Sequence, residues 1–291
     1  MRILVTGVNG QLGSELIRVL AKQGHTVIGT ARNIDLLPVL DGVSYLTLDL
    51  TDTARIRSVL TEAKPEAVMH CASYVAVDRA EEEKELCYLT NETATGEIAR
   101  YCGEADIPIL YTSTDYVFDG SGDRPWTTGD TPNPLNVYGA SKYAGELAVA
   151  RFAPKHFIVR ICWTYAKNGT NFVNTMLSLA KTRDTLSVVD DQYGAPTYIP
   201  DLAILLTEMI VSDRYGLYHA ANEGYCNRYE LAREIFRLAG YTTAVLPIKS
   251  SAFPGKAKRP ANCRFDTSSL TENGFATLPS WQDGLRRFFE E

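Results

Sequence analysis

The chain has 291 residues, 45% hydrophobic and 22% charged, the composition of an ordinary globular protein rather than a disordered or fibrous one. At roughly 150 residues per domain, that length suits two domains or one large α/β domain with an appendage. Lys plus Arg number 29 against 35 Asp plus Glu, a net charge of -6, so no strong positive field exists to hold the polyanionic backbone of nucleic acid. In chain order, strands are predicted at 2–6, 26–30, 44–48, 67–70, 107–112 and 157–161. Helical spacing of apolar residues predicts helices over 11–22, 53–63, 85–101 and 140–150 between them. Strands alternating with helices imply βαβ units and a parallel sheet covered on both faces. From about residue 162 the rhythm loosens, with helices expected at 172–180, 201–211 and 228–238 among stretches rich in Gly, Pro and Tyr. The expected fold is therefore α/β: a Rossmann-type doubly wound parallel sheet over residues 1–161, to which some later segments return. A smaller C-terminal substrate-binding lobe over 162–291 is expected to lie on the carboxyl edge of the sheet. The run Glu81, Glu82, Glu83 is expected to start a solvated helix.

No apolar run reaches the roughly 18 residues that a bilayer crossing needs. The opening strand is broken by Gly7 too soon for a signal-peptide core. Six cysteines at 71, 87, 102, 162, 226 and 263 are scattered without a CxxC pair. They read as reduced, mostly buried thiols of a cytoplasmic protein, not as a disulfide frame or a zinc site.

Residues Gly7, Val8, Asn9, Gly10, Gln11, Leu12 and Gly13 join the first strand to the first helix. Glycines there let the backbone approach a pyrophosphate, and the helix N terminus offers it unpaired N–H groups. The spacing is GxxGxxG, a variant associated with short-chain dehydrogenases. Between a strand and an amphipathic helix it reads as a dinucleotide site using Gly7, Asn9, Gly10, Gln11 and Leu12, with a purely structural turn as the alternative. The second strand ends at Arg32. A carboxylate there would bond the adenosine ribose, whereas an arginine suits a 2′-phosphate, which points to NADPH before NADH. After the third strand, Asp49 and Leu50 stand where a carboxylate reaches the adenine amino group. After the fourth, the small residues Cys71, Ala72 and Ser73 let a cofactor lie against the backbone.

Tyr138 and Lys142 are four residues apart and share one helix face. A neighbouring cation is expected to lower the phenol from its usual value of about 10. Thr114, in the run Ser113, Thr114, Asp115, Tyr116, ends the fifth strand, where its hydroxyl can bond a carbonyl oxygen. Behind a nucleotide turn, this set reads as the catalytic group of a ketone reductase. Tyr138 gives the proton, Lys142 supports it and bonds the nicotinamide ribose, and Thr114 orients the carbonyl. No HExxH, GxSxG or P-loop pattern competes. Asp190 and Asp191 could hold a cation, but a solvated loop is the plainer reading, and no metal site is assigned.

These motifs resemble those of the dTDP-4-dehydrorhamnose reductase family, a branch of the extended short-chain dehydrogenases. The resemblance rests on the glycine turn and on residues 113–120, 134–139, 191–197 and 259–260, and it runs over nearly the whole chain. It implies NAD(P)H-dependent reduction of the 4-keto group of dTDP-4-dehydro-L-rhamnose. The catalytic triad falls on Thr114, Tyr138 and Lys142, and the sugar contacts on Thr114, Asp115, Tyr116 and Trp163. Arg259 is a plausible partner for the nucleotide phosphates. A familiar member has an acidic residue where Arg32 stands, and the usual Asn-Ala-Ala run reads His70, Cys71, Ala72 here. Some members bind Mg2+ at a homodimer interface; Glu15 and Asp190 are the candidates in this chain. Related dehydratases carry a Glu after Thr-Asp where this chain has Tyr116, which argues against dehydration. Sugar-nucleotide epimerases and the NADP-binding regulatory subunit of methionine adenosyltransferase are the rival readings.

Overall fold

The first strand, β1 (Arg2–Thr6), is buried from Ile3 onward, as a strand covered on both faces must be. A computed structural model, which describes residues 1–252 and 255–290, places it within a seven-stranded sheet. The other members are β2 (Thr26–Ala31), β3 (Val43–Thr47), β4 (Ala67–His70), β5 (Ile109–Thr114), β6 (His156–Ile161) and a late strand, Gly216–Ala220. Every pairing is parallel. From one edge to the other the order is Gly216–Ala220, β6, β5, β4, β1, β2, β3. The chain builds outward from β1 to β3, returns to β4 and builds the other way, so the order reverses between β1 and β4. The crevice at the carboxyl ends of those two strands is where doubly wound sheets bind ligands.

Helices cover both faces. On one, Leu16, Ile17 and Leu20 of α1 (Gln11–Lys22) pack with later residues Leu202, Leu206 and Met209. On the other, Ile56 and Leu60 of α2 (Thr53–Ala63) meet Ile98 and Cys102 of α3 (Ala94–Glu104). These are the stripes that a period of 3.6 predicts. The next helix, α4 (Val137–Phe152), follows β5. Helix starts follow their caps. The side chains of Asp52 and Asn136 accept from the N–H groups of Arg55 and Gly139, donors that would otherwise be orphaned. The lobe beyond β6 holds α5 (Phe172–Ala180) and the strand β7 (Thr185–Val189). The helix α6 (Ile199–Ile210) and the strand β8 (Gly216–Ala220) return to the main core, and α7 (Arg228–Ala239), β9 (Ala244–Ile248) and α8 (Trp281–Glu290) complete the lobe. Val173, Leu186, Leu231, Ile235, Trp281 and Phe288 form its separate core.

The structure departs from the sequence expectation in places. The helix expected over 85–101 is interrupted: a turn wider than α, over Leu89–Thr93, separates Lys84–Tyr88 from α3. β5 runs two residues further than expected, to Thr114, and α4 starts three residues earlier because Asn136 caps it. The loop at Asp190 and Asp191 is not simply solvated. Asp190 pairs with Lys249 at 2.9 Å, and Asp191 accepts from the N–H and hydroxyl of Ser250. All six cysteines carry free thiols, and only Cys71 is not fully buried. Among the described residues no helix is long and apolar enough to cross a membrane, and no three His, Cys, Asp or Glu side chains are grouped to share a metal ion.

Candidate active site

The glycine turn lies in the crevice. Gly7 has φ +74, and a Cβ there would lie 2.9 Å from the backbone of Ala72, so no other residue permits so close an approach of the two loops. Its N–H donates to the Thr30 carbonyl at 2.8 Å. Gly10 caps α1 without offering a side chain, which leaves the first N–H groups of the helix to whatever lies in front of them. Asn9 and Gly10 are exposed, and Leu12 packs against the core. The Gln11 side chain is already engaged, donating to the Thr170 carbonyl at 3.0 Å and accepting from Asn171 at 2.9 Å. The cradle fits a dinucleotide pyrophosphate through backbone, not side chains. The N–H of Thr51, bonded to the Asp49 carboxylate, is the largest cause holding that carboxyl below the usual range; Arg32, exposed just past the end of β2, adds a smaller effect of its charge. Leu50 is buried behind it.

Sequence reasoning missed what holds this cradle together. The Thr6 hydroxyl accepts from the N–H groups of Cys71 and Ala72 at 3.1 and 3.0 Å. Its own proton must then go to His70 Nδ1, 2.8 Å away, which leaves His70 Nε2–H to donate to the Thr95 hydroxyl at 3.0 Å. Burial keeps this imidazole neutral, with its pKa pushed down to about 3. Burial also pushes the Cys71 thiol up to about 12, so it is no nucleophile. Ser73 is half-buried in the loop that follows. Asn91, inside the wide turn, accepts from the Tyr74 N–H at 2.8 Å and donates to the Ser141 hydroxyl at 2.9 Å, tying that loop to α4. The unbroken helix expected over 85–101 gave no sign of it.

On the catalytic side, Thr114 ends β5 and Asp115–Val117 forms a single tight turn. Gly139 of α4 sits so close to the Tyr116 carbonyl that any side chain there would overlap it. Tyr138 is thereby set edge-on to Tyr116, ring centroids 5.8 Å apart, and beside the Thr114 hydroxyl. Here the expected pKa shift is corrected. Burial pushes the phenol above its ordinary value, opposed only by Thr114, and the Asp115 carboxyl adds to the rise. Lys142 is deeper: Nζ donates to the Thr112 carbonyl at 2.7 Å and lies 4.1 Å above the Tyr111 ring. Burial lowers its pKa from 10.5 to about 7, with Glu146 the first of the groups opposing that fall.

On the substrate side, Asp115 is buried. One carboxylate oxygen accepts from Thr114 at 3.0 Å, and the other has no hydrogen-bond partner among the described residues. Trp163 packs its indole against Gly194 and adopts φ 45, unusual for an aromatic residue. Arg259 stands beside Tyr116 but is spoken for: its two terminal nitrogens donate to Asp78 at 2.6 and 3.2 Å.

Thr114 at the end of β5, Tyr138 and Lys142 on α4 and a glycine turn after β1 of a doubly wound sheet together have the pattern of the NAD(P)-dependent oxidoreductases of the extended short-chain dehydrogenase type. The chain belongs to the family described as RmlD substrate binding domain, whose model matches residues 1–291. The dTDP-4-dehydrorhamnose reductase of Salmonella typhimurium is 37% identical over 302 residues, covering 100% of this chain and 98% of that protein. A dTDP-4-dehydrorhamnose reductase from Bacillus anthracis, solved in complex with NADP, is 38% identical with a TM-score of 0.92, covering 99% of this chain and 98% of that one. The UDP-glucose 4-epimerase of Thermus thermophilus, 20% identical with a TM-score of 0.84 over 100% of this chain and 99% of that one, shares the fold. The resemblance read from the motifs and the expected fold class are both borne out.

The lysine pKa sets a pH dependence. Between about 7 and 10.5 the unfolded chain holds a proton on Lys142 that the folded chain lacks, so this residue makes stability rise with pH across that window. Lys142→Met should show a smaller gain in urea midpoint from about pH 7 to about pH 9 than the wild type. Equal gains in the two proteins would contradict the assignment.

Proposed function

We propose that this protein reduces the 4-keto group of a dTDP-4-dehydro-6-deoxy sugar, turning dTDP-4-dehydro-L-rhamnose into dTDP-L-rhamnose, with NADPH preferred over NADH. The observation that carries the reading is the placement of the Tyr138 phenol beside Thr114 at the end of β5, with Lys142 one turn along the same helix. The named activities of the relatives supply the substrate class. In this reading residues 1–161 chiefly hold the dinucleotide and 162–291 chiefly the sugar nucleotide, with α6 and β8 serving the first unit.

The pyrophosphate would rest on the backbone of Gly7, Asn9, Gly10, Gln11 and Leu12, the adenosine near Arg32, Asp49 and Leu50, and the remainder along Cys71, Ala72 and Ser73. When bound, the reduced nicotinamide supplies the hydride that adds to the carbonyl carbon. The chain's own residues do the rest. Thr114 donates to the carbonyl oxygen and fixes its direction, and Tyr138 gives that oxygen its phenolic proton as negative charge develops there. The phenol is protonated at neutral pH, the state a donor needs. Lys142, one helical turn below and poised near neutrality, stabilises the phenolate left behind and can return its proton. Asp115, Tyr116 and Trp163 wall the sugar.

Supplied with a dTDP-4-keto-6-deoxyhexose, the wild type should consume one NADPH per sugar reduced. Interconversion of hexoses without net consumption would make it an epimerase instead. Tyr138→Phe should lose at least about 100-fold in kcat while binding the dinucleotide as tightly as before; near wild-type turnover would refute the mechanism. Arg32→Asp should lower the preference for NADPH over NADH by about tenfold or more. A cofactor ratio left unchanged would remove Arg32 from cofactor selection.

A further inference from the structure

Arg228 is the first residue of α7, a place where the positive end of the helix dipole disfavours a cation. The nearest carboxylate on its own helix is occupied, because Glu230 accepts from the Asn227 N–H at 2.9 Å in a capping box. Among the described residues the Arg228 guanidinium makes neither an ion pair nor a hydrogen bond. It is held by aromatic faces alone, 3.5 Å from the centroid of the Trp163 ring and 4.8 Å from that of Phe172. Stacking of this kind fixes the plane of a guanidinium and leaves its N–H edges unspent. Trp163 reaches that position from a left-handed backbone, with its indole wedged against Gly194. Strain of this kind persists where the surroundings over-determine it, most often at ligand sites.

The location is the substrate side of the crevice. The Arg228 charge acts on Asp115 and Tyr116, the two residues that follow Thr114, and on the buried thiols of Cys162 and Cys263 around them. Asp115 is the one carboxyl among these groups. Arg259, the arginine that sequence alone suggested for the phosphates, already has both its terminal nitrogens on Asp78. A guanidinium without an ion pair or hydrogen bond among the described residues therefore stands within electrostatic reach of Asp115 and Tyr116, the residues that the proposed function assigns to the sugar.

We propose that Arg228 is a substrate-recognising residue that receives the diphosphate of the sugar nucleotide through paired N–H···O bonds while it remains stacked on Trp163. The assignment rests on the sugar-nucleotide reading above and names the arginine that reading needs. It is tested by titrating dTDP into the NADP-loaded protein by calorimetry, with KM and kcat measured alongside. Arg228→Gln should weaken dTDP binding by about tenfold or more and raise KM by more than it lowers kcat. Arg228→Lys, which keeps the charge and loses the fork, should fall between the Gln variant and the wild type. Undiminished dTDP binding in Arg228→Gln would overturn the assignment alone. Equal losses in the Gln and Lys variants would also overturn it, by marking the stacking on Trp163 as the residue's whole role. A wild type without affinity for dTDP would overturn the substrate reading and the assignment together.

Discussion

The contact between Gly139 and the Tyr116 carbonyl governs the site, because only a residue without a side chain lets α4 settle on the turn that ends β5. From that seat the helix sends one side chain inward at each turn, at positions 138, 142 and 146, a spacing that keeps them on one face. Each works at a different depth. Tyr138 reaches the mouth of the crevice beside Thr114. Lys142 stops at the Thr112 carbonyl and the Tyr111 ring. Glu146 ends in the core, where it takes two bonds from Arg160 of β6 at 2.7 and 2.9 Å and one from Ser113 of β5 at 2.5 Å. Such a buried ion pair is weak as a source of net stability. Here its geometry ties α4 to β5 and β6, so the face that carries Tyr138 and Lys142 cannot rotate away from Thr114 without leaving a buried charge unpaired.

The cofactor side is assembled on a different principle, a single hydroxyl shared by two loops. Thr6 stands at the end of β1 and holds the N–H groups that follow β4, so the two strands on either side of the switch point are clipped together at the place where the glycine turn must pass close to Ala72. His70 fixes the direction of that hydroxyl and does so uncharged. Polar groups with buried partners therefore set the cradle, and the anion-binding groups it leaves over belong to the backbone. The position has a consequence for the departure at residue 70. The backbone after β4 keeps its place, and an imidazole holds the hydroxyl that fixes it.

What could be read from the sequence was local. The helices over 11–22 and 53–63 coincide with α1 and α2 because their apolar stripes and cap signals lie within a few residues of each other. The Tyr138 and Lys142 pair was visible for the same reason, as a spacing of four. What could not be read was set by partners far along the chain. The pairing of Arg259 with Asp78 joins residues 181 apart, and it engages the arginine that the motifs favoured. The fall in the lysine pKa and the rise in the phenol's come from burial, which no spacing encodes. β8 (Gly216, Leu217, Tyr218, His219, Ala220) opens on a glycine, lacks a β-branched residue and so carries little strand signal, and it is held by its parallel register with β6. Arg228 did leave a trace: a basic residue at the first position of a capped helix is out of place electrostatically, and such a residue invites the question of what it faces.

Net transfer of hydride to C4 of the sugar separates the reductase from its relatives of the same fold. Incubating the protein with NADPH deuterated at the transferring position of the nicotinamide and a dTDP-4-keto-6-deoxyhexose, then recording the NMR spectrum of the product, reads this directly. The account predicts one deuterium, at C4 alone, with one equivalent of NADP formed per sugar. A product without label, or sugar turnover in the absence of added reductant, would contradict it.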